Sequence, residues 1–362
     1  MKRIVVLTSG GDSPGMNAAL RAIAKLGAAQ GLQVFGSLEG YDGLIDGKFR
    51  ELTKVLSDGL VSVDIEVDAA GGQGGTLIGS ARSSRFRDKA GRAKAADELK
   101  KIDAEGLIVI GGNGSLTGAH AFATETGVKV MGIPGSIDND IGCTSTSLGV
   151  DTALNTIVEA CDRISDTARA HKRAFVVEVM GRDCGYLAMA SAIAMAADAA
   201  LIRESGKSEE QLVEDIRNVI KTGFARGKRR ILIIKAEGIT APCTRLVRMT
   251  EERMKEEMPT LEIRATVLGH VVRGGSPSYS DRAVAGRLGF GALNSLLAGA
   301  SDEMVGWLPP LPQGGTPTSD SSVVRFPLER VLEETRALID GTSPVTKRRV
   351  ALMSAASGVL SL

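Results

Sequence analysis

Two carboxylates and an amide stand close together in residues 134–140, which read Pro-Gly-Ser-Ile-Asp-Asn-Asp. The segment follows an apolar run, residues 128–133, that predicts a buried strand. A helix N-cap would account for one aspartate, but not readily for Asp138, Asn139 and Asp140 together after a Pro-Gly turn. Carboxylates placed there can take a proton from a hydroxyl group or bind a metal ion. The segment therefore indicates chemistry at the sheet edge where α/β proteins bind their ligands.

The composition indicates a globular α/β protein. Apolar residues make up 43% of the 362 residues and charged residues 24%, and this length allows roughly two domains. Only 3% of the residues are aromatic and 44 are glycine, which favours an aliphatic core with many tight turns over a β-sandwich. The net charge of +1 gives no electrostatic reason to expect nucleic acid or an anionic membrane as a partner.

Several patterns indicate a cytoplasmic location. The four cysteines are far apart and lack metal-ligand spacing, which predicts reduced thiols. The chain enters a strand at residue 4 without a signal-peptide pattern. The most apolar stretch, residues 188–202, contains Ser191 and Asp198 and is too short to cross a bilayer. It predicts a buried alanine-rich helix that runs into a strand.

Strands and helices alternate along the chain. Apolar runs predict strands at residues 4–7, 33–35, 107–110, 128–133, 175–179 and 231–234. Helical patterns lie at residues 17–30, 94–102, 115–126 and 152–171. This alternation predicts a parallel sheet covered by helices on both faces. Beyond residue 300 we expect a proline- and glycine-rich surface excursion at residues 309–317, a helix at 328–339, and a solvated basic triplet at 347–349.

Three glycine-rich turns follow predicted strands, at residues 8–17, 111–115 and 134–140. Glycines let backbone N–H groups approach an anion closely, and a helix N-terminus adds partial positive charge. One glycine pair after a strand is usually only a tight turn, but three such turns favour phosphate binding. The Walker A pattern is absent, so a P-loop enzyme is excluded.

Basic residues beside other glycine turns add to this prediction. The guanidinium fork of arginine suits phosphate oxygens, although each such residue alone is more often a surface or structural one. Two of these arginines follow residues 71–75, which we interpret as a flexible segment able to fold over a ligand. The basic residues are Arg82, Arg87, Arg182, His270 and Arg273.

Taken together, these segments resemble the bacterial, ATP-dependent type of 6-phosphofructokinase. The matching motifs are residues 7–17, 79–82, 111–115, 134–140, 178–185 and 264–277, and the resemblance extends from residue 2 to about residue 300. It implies two Rossmann-like, three-layer α/β/α domains with mostly parallel sheets and an active site in the cleft between them. An ATP-binding domain would comprise residues 1–149 and about 273–323, and a fructose-6-phosphate-binding domain residues 150–272 and about 324–362.

The resemblance implies transfer of the ATP γ-phosphoryl group, with Mg²⁺, to the C1 hydroxyl of fructose 6-phosphate, a step of glycolysis. Asp138 would be the general base, and Asp140 would help to position Mg²⁺ or the base. Gly11, through its backbone N–H, and Arg82 would hold the transferring phosphate. Arg182 would stabilise the charge that spreads over the equatorial oxygens.

The resemblance also assigns binding residues. Those for the nucleotide are Gly11, Arg82, Ser83, Gly112, Asn113, Gly114 and Ser115. Those for the sugar phosphate are Ser136 (also grouped with the catalytic residues), Ile137, Asp138, Arg173, Met180, Gly181, Arg182, Glu237, Arg264, His270, Val271, Val272 and Arg273. In the family, the counterparts of Arg173 and Arg264 come from a neighbouring subunit. The site would therefore be shared within a homo-oligomer, a dimer or the tetramer usual for the family.

Three positions distinguish subtypes of the family. Asn113 stands where the ATP-dependent enzymes usually have an aspartate that reaches the metal. Mg²⁺ would then be held mainly by the nucleotide and water, with Asp140 nearby; the alternative is a catalytically weakened regulatory subunit. Gly114 and Gly135 stand where pyrophosphate-using relatives typically carry Asp and Lys. Two glycines leave room for a nucleotide, so ATP is the expected donor and pyrophosphate the alternative.

Two further interpretations remain open. Arg21, Lys25, Lys54 and Lys228 match the ADP/phosphoenolpyruvate effector pocket of bacterial enzymes, although Ser165 stands where an arginine is common. Residues 21 and 25 alternatively form a solvated helix face. NAD kinases and lipid kinases use a turn that resembles residues 111–114, but they lack the motifs at 180–185 and 270–277.

Overall fold

The computed structural model describes residues 2–308, 315–318, 320 and 323–351. The chain forms two compact units. Unit 1 is drawn from Met1–Ile137, Ile141–Thr152 and Arg273–Arg336, and unit 2 from Asp138–Asp140, Ala153–Val272 and Ala337–Leu362.

Unit 1 contains a mixed sheet in which the central strands are parallel. Its strands are β1 (Arg3–Ser9), β2 (Gln33–Ser37), β3 (Phe49–Glu51), β6 (Ala104–Gly111), β7 (Val130–Pro134), β12 (Glu303–Trp307), β13 (Thr316–Pro317) and β14 (Val323–Pro327). Their order is β13-β14-β12-β7-β6-β1-β2-β3, and β3 and β14 are antiparallel to the strands they join. A separate hairpin pairs β4 (Thr53–Val55) with β5 (Val61–Val63).

Helices cover both faces of this sheet. Successive side chains of β1 alternate between two apolar clusters, with Ile4 and Val6 in one and Val5 and Leu7 in the other, as the two-residue period of a strand requires. Both faces are therefore buried, and the middle residues of β1 and β6 are apolar on both faces. The helices are α1 (Met16–Ala29), α2 (Tyr41–Asp46), α3 (Ile65–Ala70), α4 (Lys89–Lys101), α5 (Asn113–Thr126), α10 (Tyr279–Leu297) and α11 (Leu328–Ile339).

Unit 2 contains a smaller, fully parallel sheet in the order β11-β8-β10-β9. Its strands are β8 (Ala174–Val179), β9 (Ala199–Leu201), β10 (Ile231–Ala236) and β11 (Ile263–Val267). Its helices are α6 (Val150–His171), α7 (Tyr186–Ala194), α8 (Glu209–Ala225) and α9 (Cys243–Met254), and residues 344–351 are also helical. Val176, Ile216 and Leu246 join one core between the sheet and its helices.

The structure confirms the α/β class and every strand and helix named from the sequence, with ends shifted by a few residues. The apolar stretch at 188–202 is indeed a helix followed by a strand, α7 and β9. Among the described residues, none of the helices combines the length and hydropathy that a membrane crossing needs. Most of the excursion expected at 309–317 lies outside the described residues; its end, Thr316–Pro317, is β13.

The prediction of a solvated basic triplet at 347–349 is wrong for one of its members. Lys347 and Arg348 are exposed, but Arg349 is half-buried. Its guanidinium lies 4.6 Å from the centre of the Tyr186 ring, and its Nη1 lies 3.2 Å from Cys184 Sγ. Stacking on an aromatic face attracts the guanidinium electrostatically, which offsets part of the hydration that the charge loses.

Candidate functional site

The three glycine-rich loops of unit 1 begin side by side. Strands β1, β6 and β7 are adjacent and parallel, and in their registers Ser9 is opposite Gly111 and Gly111 is opposite Pro134. The Gly135 N–H donates to the Gly111 carbonyl at 2.9 Å. The loops therefore leave the sheet together at the carboxyl ends of its strands, where α/β proteins bind their ligands.

Two of these loops present helix N-termini without side-chain caps. Gly15 precedes α1 with a φ of 101°, Gly112 precedes α5, and neither helix start receives a side-chain hydrogen bond. At Gly111 a Cβ atom would lie 2.6 Å from the Ser9 carbonyl oxygen, so only glycine fits between the loops. Uncapped N–H groups with the positive end of a helix dipole favour an anion such as phosphate.

Arg82 lies next to the first loop. The Ser80 hydroxyl donates to the Gly10 carbonyl at 2.8 Å, and the Gly10 N–H donates to the Ala81 carbonyl at 3.3 Å. The exposed Arg82 follows directly, whereas the Ser83 hydroxyl donates to Asp42 at 2.6 Å. The loop and Arg82 are thus brought together, while the Ser83 side chain is already engaged.

Within residues 71–75, the backbone of Gln73 and Gly74 contacts α1, and the flexibility expected of this segment stays a prediction. The Asn17 amide donates to the carbonyls of Gln73 and Gly74 at 3.3 and 3.2 Å, and its oxygen accepts from the Leu77 N–H at 2.7 Å. A Cβ atom at Gly74 would lie 2.3 Å from the Gly275 carbonyl oxygen. A buried amide therefore uses its donors and its acceptor to fix backbone that glycine leaves free.

Arg273 also lies beside the first glycine-rich loop of unit 1. Its Nη1 lies 3.2 Å from the Asp12 carbonyl oxygen, and a Cβ atom built at Gly11 would lie 2.7 Å from the same nitrogen. The guanidinium expected to bind the sugar phosphate therefore lies against the loop expected to bind the transferring phosphate.

In unit 2, several residues that the resemblance assigns to the sugar pocket lie on neighbouring segments. The Glu237 N–H donates to the Val179 carbonyl at 2.9 Å, and the Gly238 N–H donates to the Gly181 carbonyl at 3.2 Å. Both Arg182 and His270 are exposed. The structure therefore places Met180, Arg182 and Glu237 on adjoining backbone.

Arg173 and Arg264 share one carboxylate within the chain. Glu262 Oε2 lies 2.5 Å from Arg173 Nε and 3.0 Å from Arg264 Nη2. The structure brings together the two arginines that the resemblance assigns to a neighbour's sugar-phosphate pocket. One carboxylate offsets only one of the two positive charges, so the pair keeps a net positive charge that suits a phosphate.

Several other predicted residues have little side chain to offer a ligand. Ile137 and Val272 are almost completely buried, and Met180 is 6% exposed, so the first two could contact a substrate only through their backbones. Val271 is exposed, and Asp138 and Asp140 are half-buried. Asn139, between them, has a φ of 51°, a left-handed conformation that asparagine tolerates.

Three of the four basic residues matched to an effector pocket form ion pairs with carboxylates. Lys25 pairs with Asp68 at 2.7 Å, Lys54 with Asp64 at 2.7 Å and Lys228 with Asp198 at 2.8 Å. Ser165, at the position where an arginine is common, accepts a hydrogen bond from Arg230 at 2.9 Å. These pairs support neither interpretation of the set over the other.

The oxygen ligands present fit a magnesium ion that arrives with a nucleotide. Asn113 is half-buried at the start of α5 and offers a neutral amide oxygen. Among the described residues, no group of three or more His, Cys, Asp or Glu side chains converges to hold a metal. Mg²⁺ keeps most of its ligands as water and phosphate oxygens, so one or two protein oxygens suffice.

The cysteines are free thiols, as the sequence predicted. Burial raises the pKa of Cys143, Cys161, Cys184 and Cys243 to about 11. Thiols that remain protonated near neutral pH are poor nucleophiles, which argues against a catalytic cysteine.

Sequence reasoning missed Asp281, which joins three segments of unit 1. Its carboxylate accepts hydrogen bonds from the N–H groups of Gly149 and Thr152 at 2.9 and 2.8 Å and from the Thr152 hydroxyl at 2.5 Å. Burial raises its pKa, and these hydrogen bonds oppose the shift. A Cβ atom at Gly15 would lie 3.5 Å from its carbonyl oxygen. The only sequence signal is Ser278, three residues earlier, whose hydroxyl caps α10.

The fold and these loops define a phosphate-binding α/β protein, and comparisons with known proteins narrow the class. The family model described as Phosphofructokinase matches residues 3–296. The chain therefore belongs to the phosphofructokinase family.

Curated relatives from bacteria support this assignment. An ATP-dependent 6-phosphofructokinase of Natranaerobius thermophilus is 45% identical over 309 residues, covering 84% of this chain and 89% of that protein. One from Brevibacillus brevis is 44% identical over 306 residues, covering 84% of this chain and 89% of that protein.

Solved structures agree. The structure of phosphofructokinase from Saccharomyces cerevisiae matches with a TM-score of 0.78 at 33% identity, over 99% of this chain and 48% of that one. This chain thus spans about half the length of the yeast protein.

Proposed function

We propose that this protein is an ATP-dependent 6-phosphofructokinase, which transfers the γ-phosphoryl group of Mg-ATP to the C1 hydroxyl of fructose 6-phosphate. The observation that carries the proposal is the alignment of three glycine-rich loops at the ends of β1, β6 and β7. The names of the bacterial relatives support the choice of substrates. The product is fructose 1,6-bisphosphate, and we place the reaction in glycolysis and in the cytoplasm.

Each reacting group has a residue of matching chemistry. Asp138 takes the proton of the C1 hydroxyl, a role that requires an ionised carboxylate within hydrogen-bonding distance in the complex. The Gly11 N–H and Arg82 bind the transferring phosphate, and Arg182 stabilises the charge that develops on it. Both arginines are exposed in the chain alone, which leaves their guanidinium groups accessible to a ligand.

The nucleotide binds, in this proposal, against Gly112, Gly114 and Ser115 at the start of α5. A Cβ atom at Gly114 would meet no atom within 4 Å, so this position faces open space. At Gly135 a Cβ atom would lie 3.1 Å from Met16 Cε, so a longer side chain there would crowd its neighbours. Space at residue 114 supports ATP, rather than pyrophosphate, as the donor.

When bound with the nucleotide, Mg²⁺ neutralises phosphate charge, and Asn113 and Asp140 are its proposed protein ligands. We further propose a homo-oligomer in which Arg173 and Arg264 complete the pocket of a neighbouring subunit. Arg273 and His270 of the same chain would bind the 6-phosphate, and Glu237 and Ser136 the sugar hydroxyls.

The test is a coupled assay on the purified chain alone, with fructose 6-phosphate, Mg²⁺ and either ATP or pyrophosphate. We expect rapid turnover with ATP and little with pyrophosphate. The control is Asp138→Asn, which should lower kcat by about 10²- to 10⁴-fold, because it removes the base. Faster turnover with pyrophosphate would refute the choice of donor.

The same assay separates the second candidate, a weakened regulatory subunit, which only Asn113 favours. Such a subunit would bind fructose 6-phosphate but turn it over no faster than its own Asp138→Asn variant.

A further inference from the structure

Lys235 is a buried lysine in the smaller sheet. It lies in β10, between β8 and β9, and only 1% of the residue is exposed. The other residues of this strand are apolar. An ammonium group in such a place is costly unless polar partners surround it, so its contacts must compensate for the lost hydration.

Three acceptors surround the Lys235 ammonium group. Its Nζ lies 2.9 Å from Glu178 Oε2 and 3.2 Å from each of the carbonyl oxygens of Ala236 and Ile239. Lys235 and Glu178 are direct neighbours in the register of β10 and β8. An ammonium group has three N–H donors, so this set satisfies all of them.

Two of these acceptors are the ends of the turn that carries Glu237. The Ile239 N–H donates to the Ala236 carbonyl at 3.2 Å, which closes a four-residue turn around Glu237 and Gly238. The ammonium group therefore binds both ends of the turn from inside the unit. A Cβ atom at Gly238 would lie 2.1 Å from the Arg182 carbonyl oxygen, so the turn packs directly on the Met180–Arg182 backbone.

Glu178, the third acceptor, connects the turn to two other segments. It lies two residues before Met180, and its own carbonyl accepts from the Leu268 N–H at 3.0 Å. Leu268 directly precedes the short 3-10 helix that contains His270. The Lys235–Glu178 pair thus lies beneath the three segments that carry Arg182, Glu237 and His270.

We infer that Lys235 is a positioning residue for the sugar-phosphate pocket, holding the Glu237 turn through its ammonium group and the neighbouring segments through Glu178. This inference rests on the proposed function, because it assigns those three residues to fructose 6-phosphate. Lys235 itself is too deeply buried to touch a substrate.

The first test is Lys235→Met, which keeps an unbranched side chain of similar volume, one atom shorter, and removes its donors. We expect the KM for fructose 6-phosphate to rise about tenfold with a smaller change in kcat, because the turn is no longer fixed. The KM for ATP should stay within about twofold, because the proposed nucleotide residues lie in unit 1. The matched control is Leu246→Ala, in the core of the same unit, which should lower the Tm without this change in KM.

Lys235→Met also leaves Glu178 without its cation, so a second variant separates folding from positioning. Lys235→Met with Glu178→Gln removes both charges and should recover much of the lost Tm. The KM for fructose 6-phosphate should remain raised, because no ammonium group binds the two ends of the Glu237 turn. A KM that returns to the wild-type value together with the Tm would overturn the inference, as would an unchanged KM in Lys235→Met. Absence of fructose-6-phosphate-dependent turnover in the wild-type protein would instead overturn the proposed function, and this inference with it.

Discussion

At the scale of single residues, Asn113 is the proposed metal ligand whose chemistry is easiest to test. It is the first residue of α5, and the family resemblance of the sequence leads us to expect an aspartate there. An amide oxygen can bind Mg²⁺ but contributes no charge. The consequence should therefore appear in the metal requirement before it appears in the fold.

We predict that Asn113→Asp lowers the Mg²⁺ concentration needed for half-maximal rate, by about 3- to 10-fold, since a carboxylate binds the ion more strongly. The fold should be unaffected, because an acidic residue in the first turn of a helix is favoured by the helix dipole. The measurement is a magnesium titration of the initial rate at fixed ATP.

The control for this prediction is Thr117→Asp, which adds the same charge one turn further along α5, at an exposed position. If both variants shift the titration equally, the effect is one of general charge and residue 113 does not touch the metal. An unchanged titration in Asn113→Asp would lead to the same conclusion.

At the scale of secondary-structure elements, Asp281 connects α10 to the start of α6. Its carboxylate accepts the N–H groups of Gly149 and Thr152, and the Thr152 hydroxyl accepts in turn from the Ser278 N–H at 2.9 Å. The Asp281 side chain, from α10, thereby satisfies N–H groups at the start of α6, as the N-cap residue of a helix usually does.

We predict that Asp281→Asn destabilises the protein by about 1–3 kcal/mol, because an amide cannot accept all three hydrogen bonds and leaves a buried N–H unsatisfied. The KM for ATP should also rise, since Gly15 of the first phosphate loop packs on the Asp281 backbone. Urea unfolding and initial rates would measure the two effects.

Ser208→Ala is the matched control. Ser208 caps α8 in unit 2 through a capping box, and its loss should cost about 1 kcal/mol. That variant should keep the wild-type KM for ATP. An equal rise of this KM in both variants would show that Asp281 acts only through overall stability.

Helices and strands could be predicted from the sequence where a local residue pattern determines them. Apolar runs such as residues 107–110 and the 3.6-residue period of 152–171 gave β6 and α6, because a buried strand and an amphipathic helix each leave a periodic pattern. The short strands β3, β11 and β14 were not predicted, because their pairing partners, rather than their own composition, make them strands.

The candidate site followed a similar division. Its glycine turns were readable because a turn after a strand has a local signature, and their registers show that they start together. The contacts of Asn17, Lys235 and Asp281 were not readable. Each joins separate segments of the chain, and a single buried polar residue has no periodic signal.

At the scale of the whole molecule, the proposal requires each active site to draw on two chains. Arg173 and Arg264 would serve a neighbour, while Asp138 and Arg182 serve their own chain. Two variants with defects in different parts of the site should therefore regain activity when they assemble in one oligomer. Sites built from a single chain each could not regain activity in this way.

We predict that Asp138→Asn and Arg264→Ser, each with low activity alone, regain activity when unfolded together and refolded. In a hybrid pair, one site contains both defects and the other contains neither. Random pairing should return about a quarter of the wild-type activity. Refolding each variant alone and then mixing at low concentration is the control; equal activity in the two samples would contradict a shared site.

Because Arg273 lies so close to Gly11, a substitution at residue 11 also affects Arg273. A methyl group at residue 11 would displace the Arg273 guanidinium, far away in the sequence, because its Cβ would lie 2.7 Å from Nη1. A Gly11→Ala variant would thus also move Arg273, the residue proposed to bind the 6-phosphate of the sugar. Selection on the loop that contains Gly11 therefore also acts on Arg273. A second substitution that restores a variant of either residue should be sought at the other position.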